Sequence, residues 1–442
     1  MIILWTDTLL FILVSLLLGL GFYWRGKAAF KRPVQHIVGN PTGMAALVVL
    51  LFFMLIGLLD SIHYQTTEKT SHAIISLLDD WATPLRQHGE KTYSAPFAAT
   101  LYSKEMIMLA DGSTLWTTPR LEFGGRHLHD PETQHFSDVL QKSAVAIAKG
   151  SALALLCSGL LFVLLRHRLS PASINAVLAT VFSLLLSAYV LTDLSAYYHV
   201  FGTDKVGEDV FYQALKSIRT GLLIGSLTTF IMLPLAIVFG ILAGFFQGWV
   251  DDVIQYIYTT LNSIPSVLLI AAAILMVQVH MAKHEEAFTS VVVRADTRLL
   301  FLCLILGVTS WTGLCRLLRA ETLKLREMDF VQAAQALGVK QGQILFRHIL
   351  PNVMHLVLIS VVLDFSALVL AEAVLSYINI GVDPTTYSWG NMINGARLEM
   401  AREPLVWWSL TAAFVFMFAL VLAANLFADT VQDAFDPRRS EQ

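Results

Sequence analysis

Residues 329–352 read DFVQAAQALGVKQGQILFRHILPN, a polar, helix-forming stretch between two strongly apolar ones. In a chain otherwise given over to apolar segments, so long a polar stretch is a structured loop presented to something outside the bilayer. The local chemistry predicts a short helix, a break and a second helix. Asp329 is placed to N-cap the first, and Gln332 three residues on would complete a capping box over the free backbone N–H groups. Phe330, Ala333, Ala334 and Leu337 fall at helical spacing on one face, and Gly338 stands where such a helix ends. Ala333, Ala334 and Ala336 leave a surface thin enough to enter a groove. Residues 340–349 are expected to form the second helix, which Pro351, after Leu350, ends or redirects.

The surroundings are membrane-like. Hydrophobic residues make up 56% of the chain and charged ones 14%, and the mean hydropathy is +0.64, outside the usual range of soluble globular domains. Net charge is −3, with no basic stripe of the kind that tracks nucleic acid. Cys157, Cys303 and Cys315 lie in or beside apolar runs without metal-type spacing, so they are expected to be reduced and buried. Apolar runs long enough to span about 30 Å of hydrocarbon occur about nine times: residues 3–22, 43–62, 144–165, 172–193, 221–246, 253–279, 299–318, 356–378 and 405–427. The first has no basic region before it and no small-residue cleavage site after it, so it is expected to stay as an anchor.

Lys and Arg in short loops prefer the cytoplasm. Arg25, Lys27, Lys31 and Arg32 follow the first run, Arg166 and Arg168 the third, and Arg316, Arg319, Lys324, Arg326, Lys340 and Arg347 surround the polar loop. Alternation through nine spans puts all three groups inside, together with Arg438 and Arg439. The N-terminus is then outside, as are the residues around Gly202 and Gly381.

The spacing Gln332-Ala333-Ala334, Gly338 and Leu350-Pro351 resembles the EAA loop of ABC-importer permeases. The preceding WTGLCRLLRAETLKLRE (residues 311–327) and the ending RHILPN (347–352) resemble the dipeptide/oligopeptide/nickel branch, C-type subunit. Three further blocks agree in order: GTDKVGEDVF (202–211), GWVDDVIQYIYTTLNSIPSVLL (248–269), and LSYINIGVDPTTYSWGNMI (375–393) leading to DAFDPR (433–438). Together they cover a little over half of the chain. Two positions depart from the family pattern. Gln332 stands where Glu is usual, which keeps the capping role and loses a charge. Glu208 stands where Arg is usual, reversing a charge on an external loop.

The resemblance implies an all-α polytopic membrane protein with a type I importer core of about six helices, about three additional helices in the N-terminal half, and a small external domain. Residues 1–42 are then an extra anchor and basic cytoplasmic loop, and 43–62 the first core helix, preceded by GNPTGMAAL (39–47), which is similar to the family's RNPxA. Residues 63–143 are an extracytoplasmic insertion, 144–193 two added helices, and 194–442 the permease core with its coupling loop at 319–355. Trp81, Tyr93, Phe97, Trp116 and Phe123 are candidates for a small core in the insertion, expected to be α+β.

The resemblance also implies that Asp329, Phe330, Gln332, Ala333, Ala334, Ala336, Leu337, Gly338, Leu350 and Pro351 dock on an ATPase. No GxxxxGK[ST] phosphate loop occurs in the chain, so ATP and magnesium are expected on a separate ATPase partner and no cofactor on this chain. A paired permease subunit, two ATPase subunits or domains and an extracytoplasmic solute-binding protein are the implied partners, and peptides the implied cargo. Asn262, Ser263, Pro265 and Asp364 are candidate pathway residues: a proline bend frees carbonyls, and an ionisable group within an apolar span is costly unless used. Glu372, nearer the outer end, is read as structural. His280 and His284, with Glu285 adjacent, have helical i,i+4 spacing, and His127, His129 and His135 cluster in the insertion, but neither set has the ligands of a closed metal site. Trp407 and Trp408 are expected in an aromatic belt. No HExxH, GxSxG or paired carboxylates beside a nucleophile point to an enzyme. An ATP-independent channel or secondary transporter, or a sensor using the external domain, are the rival readings.

Overall fold

The computed structural model describes residues 4–24, 28–65, 74–108, 114–167, 169–284, 286 and 290–435. Arg25, Lys27, Arg168, Glu285, Arg438 and Arg439 lie outside the described residues. Helices α1 (Trp5–Trp24), α2 (Ala28–Gly39) and α3 (Pro41–Asp60) open the chain. The Asn40-Pro41 pair starts α3: the Asn40 side chain accepts from the N–H groups of Thr42 and Gly43, and Pro41 occupies the first turn, where its missing N–H costs nothing.

The segment after α3 holds two antiparallel hairpins, β1 (His63–Gln65) with β2 (Ile74–Ser76) and β3 (Glu105–Met108) with β4 (Thr114–Thr117); short helices α4 (Leu77–Trp81) and α5 (Thr83–Gln87) lie between them. Tyr93 is buried, but Trp81 and Trp116 are 57% and 64% exposed and form no core. The two-stranded hairpin has no layer over the face that Trp116 shares with Met106, and Leu115, which alternation turns to the other face, is exposed as well. Next come α6 (Pro131–Leu165) and α7 (Pro171–Ser195), packed on each other, with α7 also against α3. Helix α6 begins at Pro131, well ahead of the apolar run at 144–165, because an amphipathic polar stretch continues the helix out of the apolar zone.

The axis of the molecule is α8 (Val210–Phe246), 37 residues long and therefore about 55 Å at 1.5 Å per residue. Its two ends belong to different cores. At one end Val210, Phe211, Ile218 and Phe53 pack with Trp389 and Trp408; at the other Met232, Ala236 and Phe245 pack with Trp311, Leu318, Val331, Ala334 and Ile349. Small residues let neighbouring helices approach. A Cβ at Gly240 would lie 2.8 Å from Cys315 O, and one at Gly244 2.7 Å from Arg319 O, so Gly240-x-x-x-Gly244 seats α12 (Thr312–Arg326) directly on the α8 backbone.

The rest of the chain follows as α9 (Gly248–Ser263), α10 (Ser266–Lys283), α11 (Val291–Ser310), α12 (Thr312–Arg326), α13 (Asp329–Ala336), α14 (Gln341–Ile344), α15 (Leu350–Tyr377), α16 (Trp389–Glu399) and α17 (Trp408–Phe435). Eight helices among the described residues are long and apolar enough to cross a membrane. Two expected spans are divided. The run 253–279 is cut at Ile264-Pro265, where proline cannot continue the hydrogen-bond ladder. The run 299–318 is cut at Trp311, and α11 carries Arg294, Asp296 and Arg298 in its first turns.

Candidate functional site

The polar loop of residues 329–352 is built as two helical pieces on a helical stalk. Asp329 is not the N-cap of α13; Met328 holds that position without a side-chain cap, and Asp329 is the first helical residue. Gln332 therefore closes no capping box. Its Nε2 instead donates to the Glu327 carbonyl at 3.2 Å. The other end of α13 follows its sequence closely. Gly338 has φ +74°, its N–H donates to Gln335 O at 3.0 Å, and the Val339 N–H donates to Ala334 O at 3.1 Å. These two bonds are a Schellman closure, which needs a left-handed residue and so favours glycine.

Beyond the break the chain does not end at Pro351. Helix α14 runs through a π-helical turn, Leu345–Ile349, into α15, and Pro351 sits in the first turn of α15. The wider turn keeps the proline ring clear of the carbonyl four residues back, where an α-helix would clash. The loop is thus a direct extension of a membrane-length helix, Gln341–Tyr377.

Exposure divides the predicted face. Phe330, Leu337 and Phe346 are 40%, 82% and 74% exposed, with Ala333, Ala336 and Gly338 also at the surface. Ala334 turns inward and, with Val331, packs into the core around Ile344 and Ile349; it fixes the loop instead of lining its outer surface. Leu350 is half-buried against the same core and Pro351 is exposed. Underneath, Arg319 of α12 grips Asp251 of α9 in a two-pronged pair at 2.6 and 2.7 Å.

The predicted pathway residues separate into two places. Asn262, Ser263 and Pro265 are exposed at the α9–α10 break; Asn262 Oδ1 accepts from Thr312 Oγ1 at 3.1 Å, and Ser263 Oγ donates to Thr260 O at 2.7 Å. Asp364 lies half-exposed on α15, with no hydrogen bond or ion pair among the described residues. Glu372, one further face along α15, is buried and accepts from Ser376 Oγ at 2.6 Å.

At the end away from the loop the structure gathers charges that sequence reasoning left unassigned. Lys216 of α8 lies 2.5 Å from Asp60 and 2.9 Å from Asp79, and Tyr212 O–H donates to Asp79 at 2.6 Å. Arg219 reaches Asp7 of α1 at 2.5 Å, and His63 meets the same carboxylate at 2.9 Å. The Thr6 hydroxyl donates to Asp296 of α11. His199, in the connection between α7 and α8, is buried between Asp209 at 2.7 Å and Glu90 at 3.5 Å. Glu90 also accepts from the N–H groups of Glu122, Phe123 and Gly124. Burial alone would lower the His199 pKa, but the two carboxylates outweigh it and push it up to about 9. Burial opposes ionisation of Asp79 and Glu90 too, yet Lys216 on the first, and His199 with the backbone donors on the second, hold both below the usual carboxylate range. The sequence shows the charges, with Asp60 ending an apolar run and Lys216 and Arg219 one helical turn apart at the start of another, but not which of them meet.

One smaller expectation changes. Trp408 is not in an aromatic belt: it is 2% exposed, and its Nε1 donates to Thr203 O at 2.9 Å, tying α17 to the 202–211 loop, while Trp407 stays exposed. The histidines act within the fold: His127 meets Asp138 at 2.7 Å and His135 meets Phe97 O at 2.6 Å, while the His280 and His284 rings lie 4.4 Å apart. Glu208, the charge-reversed position, accepts from Gln213 Nε2 at 3.1 Å and from the Tyr387 hydroxyl at 3.3 Å.

Among the described residues, eight membrane-length helices, the long axial α8 one of them, with a polar loop at one end, define a multi-pass all-α membrane protein. Its relatives narrow the class. The model of the binding-protein-dependent transport system inner membrane components matches residues 236–441, from the last third of α8 through the Pro265 break, the loop and α17. The chain is similar to the oligopeptide transport system permease protein OppC of Mycobacterium tuberculosis, 30% identical over 289 residues, 62% of this chain and 91% of that one. It is similar also to the dipeptide transport system permease protein DppC of Lactococcus lactis, 31% identical over 243 residues, 55% of this chain and 65% of that one. The chain belongs to this family of inner-membrane permease subunits. The insertion, α6 and α7 lie outside the part that the family model matches.

Proposed function

We propose that this chain forms half of the membrane pathway of an ATP-driven peptide importer and receives its mechanical input through residues 329–351. The observation that carries the reading is the loop itself. Phe330, Leu337 and Phe346 form an exposed apolar surface on a two-helix unit closed by Gly338 and continuous with α15. Apolar side chains held so firmly in water suit a groove on a partner. Movement of a docked partner would pass through the stalk into α15, and through the Arg319–Asp251 pair into α9, tilting helices as rigid bodies.

The partners in this reading are a paired permease subunit, two ATPase subunits or domains that carry ATP and magnesium, and an extracytoplasmic solute-binding protein. Peptide as cargo is supported by the names of the relatives, a dipeptide and an oligopeptide permease protein. Asn262, Ser263 and Pro265 at an exposed helix break, and the unpaired Asp364, are the groups proposed to face the pathway once the second subunit closes it. In this reading α11–α12 make a ninth crossing, the loop is cytoplasmic, and the N-terminus and insertion are outside.

The test is purification of the tagged full chain in mild detergent with its associated subunits. Phe330→Asp/Leu337→Asp should fold as the wild type does and lose the co-purifying ATPase and its ATP turnover. An ATPase retained by the variant would move the docking site elsewhere. A wild-type chain that captures none, in cells shown to transport peptide through it, would favour an ATP-independent channel.

A further inference from the structure

A polar cavity of about 430 Å³ opens at the end of the molecule away from the coupling loop, a size within the range of small-molecule sites, about 300–1,000 Å³. It is walled by the 204–208 connection ahead of α8, by residues 384–399 including α16, and by the start of α17. Lys205, Val206, Glu208 and Thr385 are exposed at its rim, while Gln213, Met392 and Val406 are buried. Its charge is lopsided. Asp204 and Glu208 share one neutral donor, Gln213 Nε2, at 2.9 and 3.1 Å, and the Tyr387 hydroxyl adds a bond to Glu208 at 3.3 Å. The N–H groups of Val206 and Glu208 donate to the other oxygen of Asp204 at 2.9 and 3.0 Å. Neither carboxylate is in an ion pair among the described residues. Glu399, also in the wall, is paired with Arg402 at 2.9 Å, and the Lys205 ammonium at the rim makes no ion pair among the described residues. Carboxylates held by neutral donors keep their charge unmatched and have lone pairs to spare.

Acidic groups at a surface do not by themselves make a site. Tyr93 marks this one: it lies in the same wall, is 7% exposed, and its hydroxyl stands beside Glu399 and Arg402 without a hydrogen bond to either. The Thr386 hydroxyl, in the wall as well, is likewise buried and unbonded. Buried hydroxyls left without partners are costly, and a polar group entering the cavity would supply what they lack. The walls also select its sign. An anion would face Asp204, Glu208 and Glu399, and no cluster of His, Cys, Asp and Glu among the described residues suits a metal ion. An organic ammonium brings three N–H donors to the carboxylates and a charge that the Tyr93 and Tyr387 rings can face. The carbon skeleton behind it would cover Met392, Ala396 and Val406.

We infer that this cavity receives the ammonium group of a short peptide, with Glu208 and Asp204 as its counter-ions and the Tyr93 hydroxyl as a hydrogen-bond partner. That the ligand is a peptide rests on the import of peptides proposed above; that it is an ammonium rests on the cavity alone. In that reading the cavity lies outside, on the side from which cargo arrives.

Saturation-transfer NMR on the full chain in lipid nanodiscs, with millimolar trialanine as the probe, decides it. The wild type should bind trialanine, and should bind N-acetyl-trialanine, which has no ammonium, about tenfold more weakly. N-acetyl-lysyl-alanyl-alanine separates the two sources of the group: binding equal to trialanine assigns the cavity to any peptide ammonium, and weak binding to the amino terminus alone. Glu208→Gln should weaken trialanine binding about tenfold. Tyr93→Phe should weaken it severalfold with denaturant unfolding unchanged, because the free chain loses no hydrogen bond. Lys205→Gln, which removes the like charge at the rim, should bind at least as well as the wild type. Circular dichroism and a monodisperse elution profile check that each variant is folded. Equal binding of the free and acetylated peptides, unchanged binding in Glu208→Gln, no binding to the wild type, or a tenfold loss in Lys205→Gln, which would make the peptide carboxylate the group received, would each overturn the inference. The assay contains no ATPase, so such a failure would leave the docking reading to be judged by co-purification alone.

Discussion

The two ends of this molecule are built on opposite rules. The coupling-loop end displays Phe330, Leu337 and Phe346 to water and holds them on a backbone closed by Gly338 and the π-helical turn. The far end hides Asp7, Asp60, Asp79, Glu90 and Asp209 and pairs them with Arg219, Lys216, His199 or backbone donors. Exposed apolar groups are costly until something covers them, and they favour association. Buried charge pairs contribute little net stability when whole but cost heavily when halved, so they hold one arrangement against others. The loop end is therefore suited to being gripped and moved, and the far end to holding α1, α3, the insertion, α8 and α11 together.

The sharpest way to break this contrast is to halve the far-end clasp. Lys216→Met would leave the Asp60 and Asp79 carboxylates facing each other without their cation, at a cost of about 3–5 kcal/mol. Denaturant unfolding in detergent should show that loss, with early proteolysis in the 63–130 segment and an intact coupling loop. If unfolding were unchanged, the clasp would be ornamental and the contrast between the ends would fail.

A second approach uses pH. His199 has an ordinary value of 6.5 and a folded value of about 9. A raised folded pKa stabilises fully below the unfolded value and is lost as pH rises through the folded one. The far end should therefore weaken from about pH 6.5 to above pH 9, by about 3 kcal/mol at 1.36 kcal/mol per unit. His199→Asn should flatten that part of the stability–pH curve. A wild-type curve already flat over this range would mean that the ring is held neutral.

How far the two ends could be read in advance follows from the range of their interactions. The membrane class, the α13 break and its glycine closure were legible because periodicity, breakers and caps act within a few residues of each other. The wrong details at the loop were local competitions. Asp329 and Met328 differ by one position in the helix start, and Pro351 was tolerated because a π-helical turn absorbed it. The far-end clasp was not legible because its partners are distant in sequence. Asp7 meets Arg219, and Glu90 meets His199, only once the helices have assembled. Trp408 belongs with these, since its hydrogen-bond partner Thr203 is set by the tertiary fold.

At the loop end the expected stability effects are smaller. Gly338→Ala places a Cβ on a residue at φ +74°, where the side chain meets open space and only the backbone conformation resists. The cost should be about 1–2 kcal/mol, confined to the loop. Hydrogen exchange should quicken at Gly338 and Val339, whose N–H groups close α13, and remain unchanged in α15. Faster exchange throughout α15 would show that the break and the stalk are one cooperative unit.

The smallest effect concerns Gln332. Its amide nitrogen donates to Glu327 O and lies 3.5 Å from the Glu327 carboxylate. A glutamate here could not donate, and would set a second negative charge beside the first. Gln332→Glu should therefore cost a few tenths of a kcal/mol, comparable with a like-charge pair on a helix surface, and the loss should shrink in high salt. Transport and ATPase association should stay within about twofold, because the side chain turns toward its own loop. If Gln332→Glu instead strengthened ATPase association well beyond that while leaving stability unchanged, position 332 would be a contact with the partner, and the gripping surface would extend from Phe330 and Leu337 around to the polar side of α13.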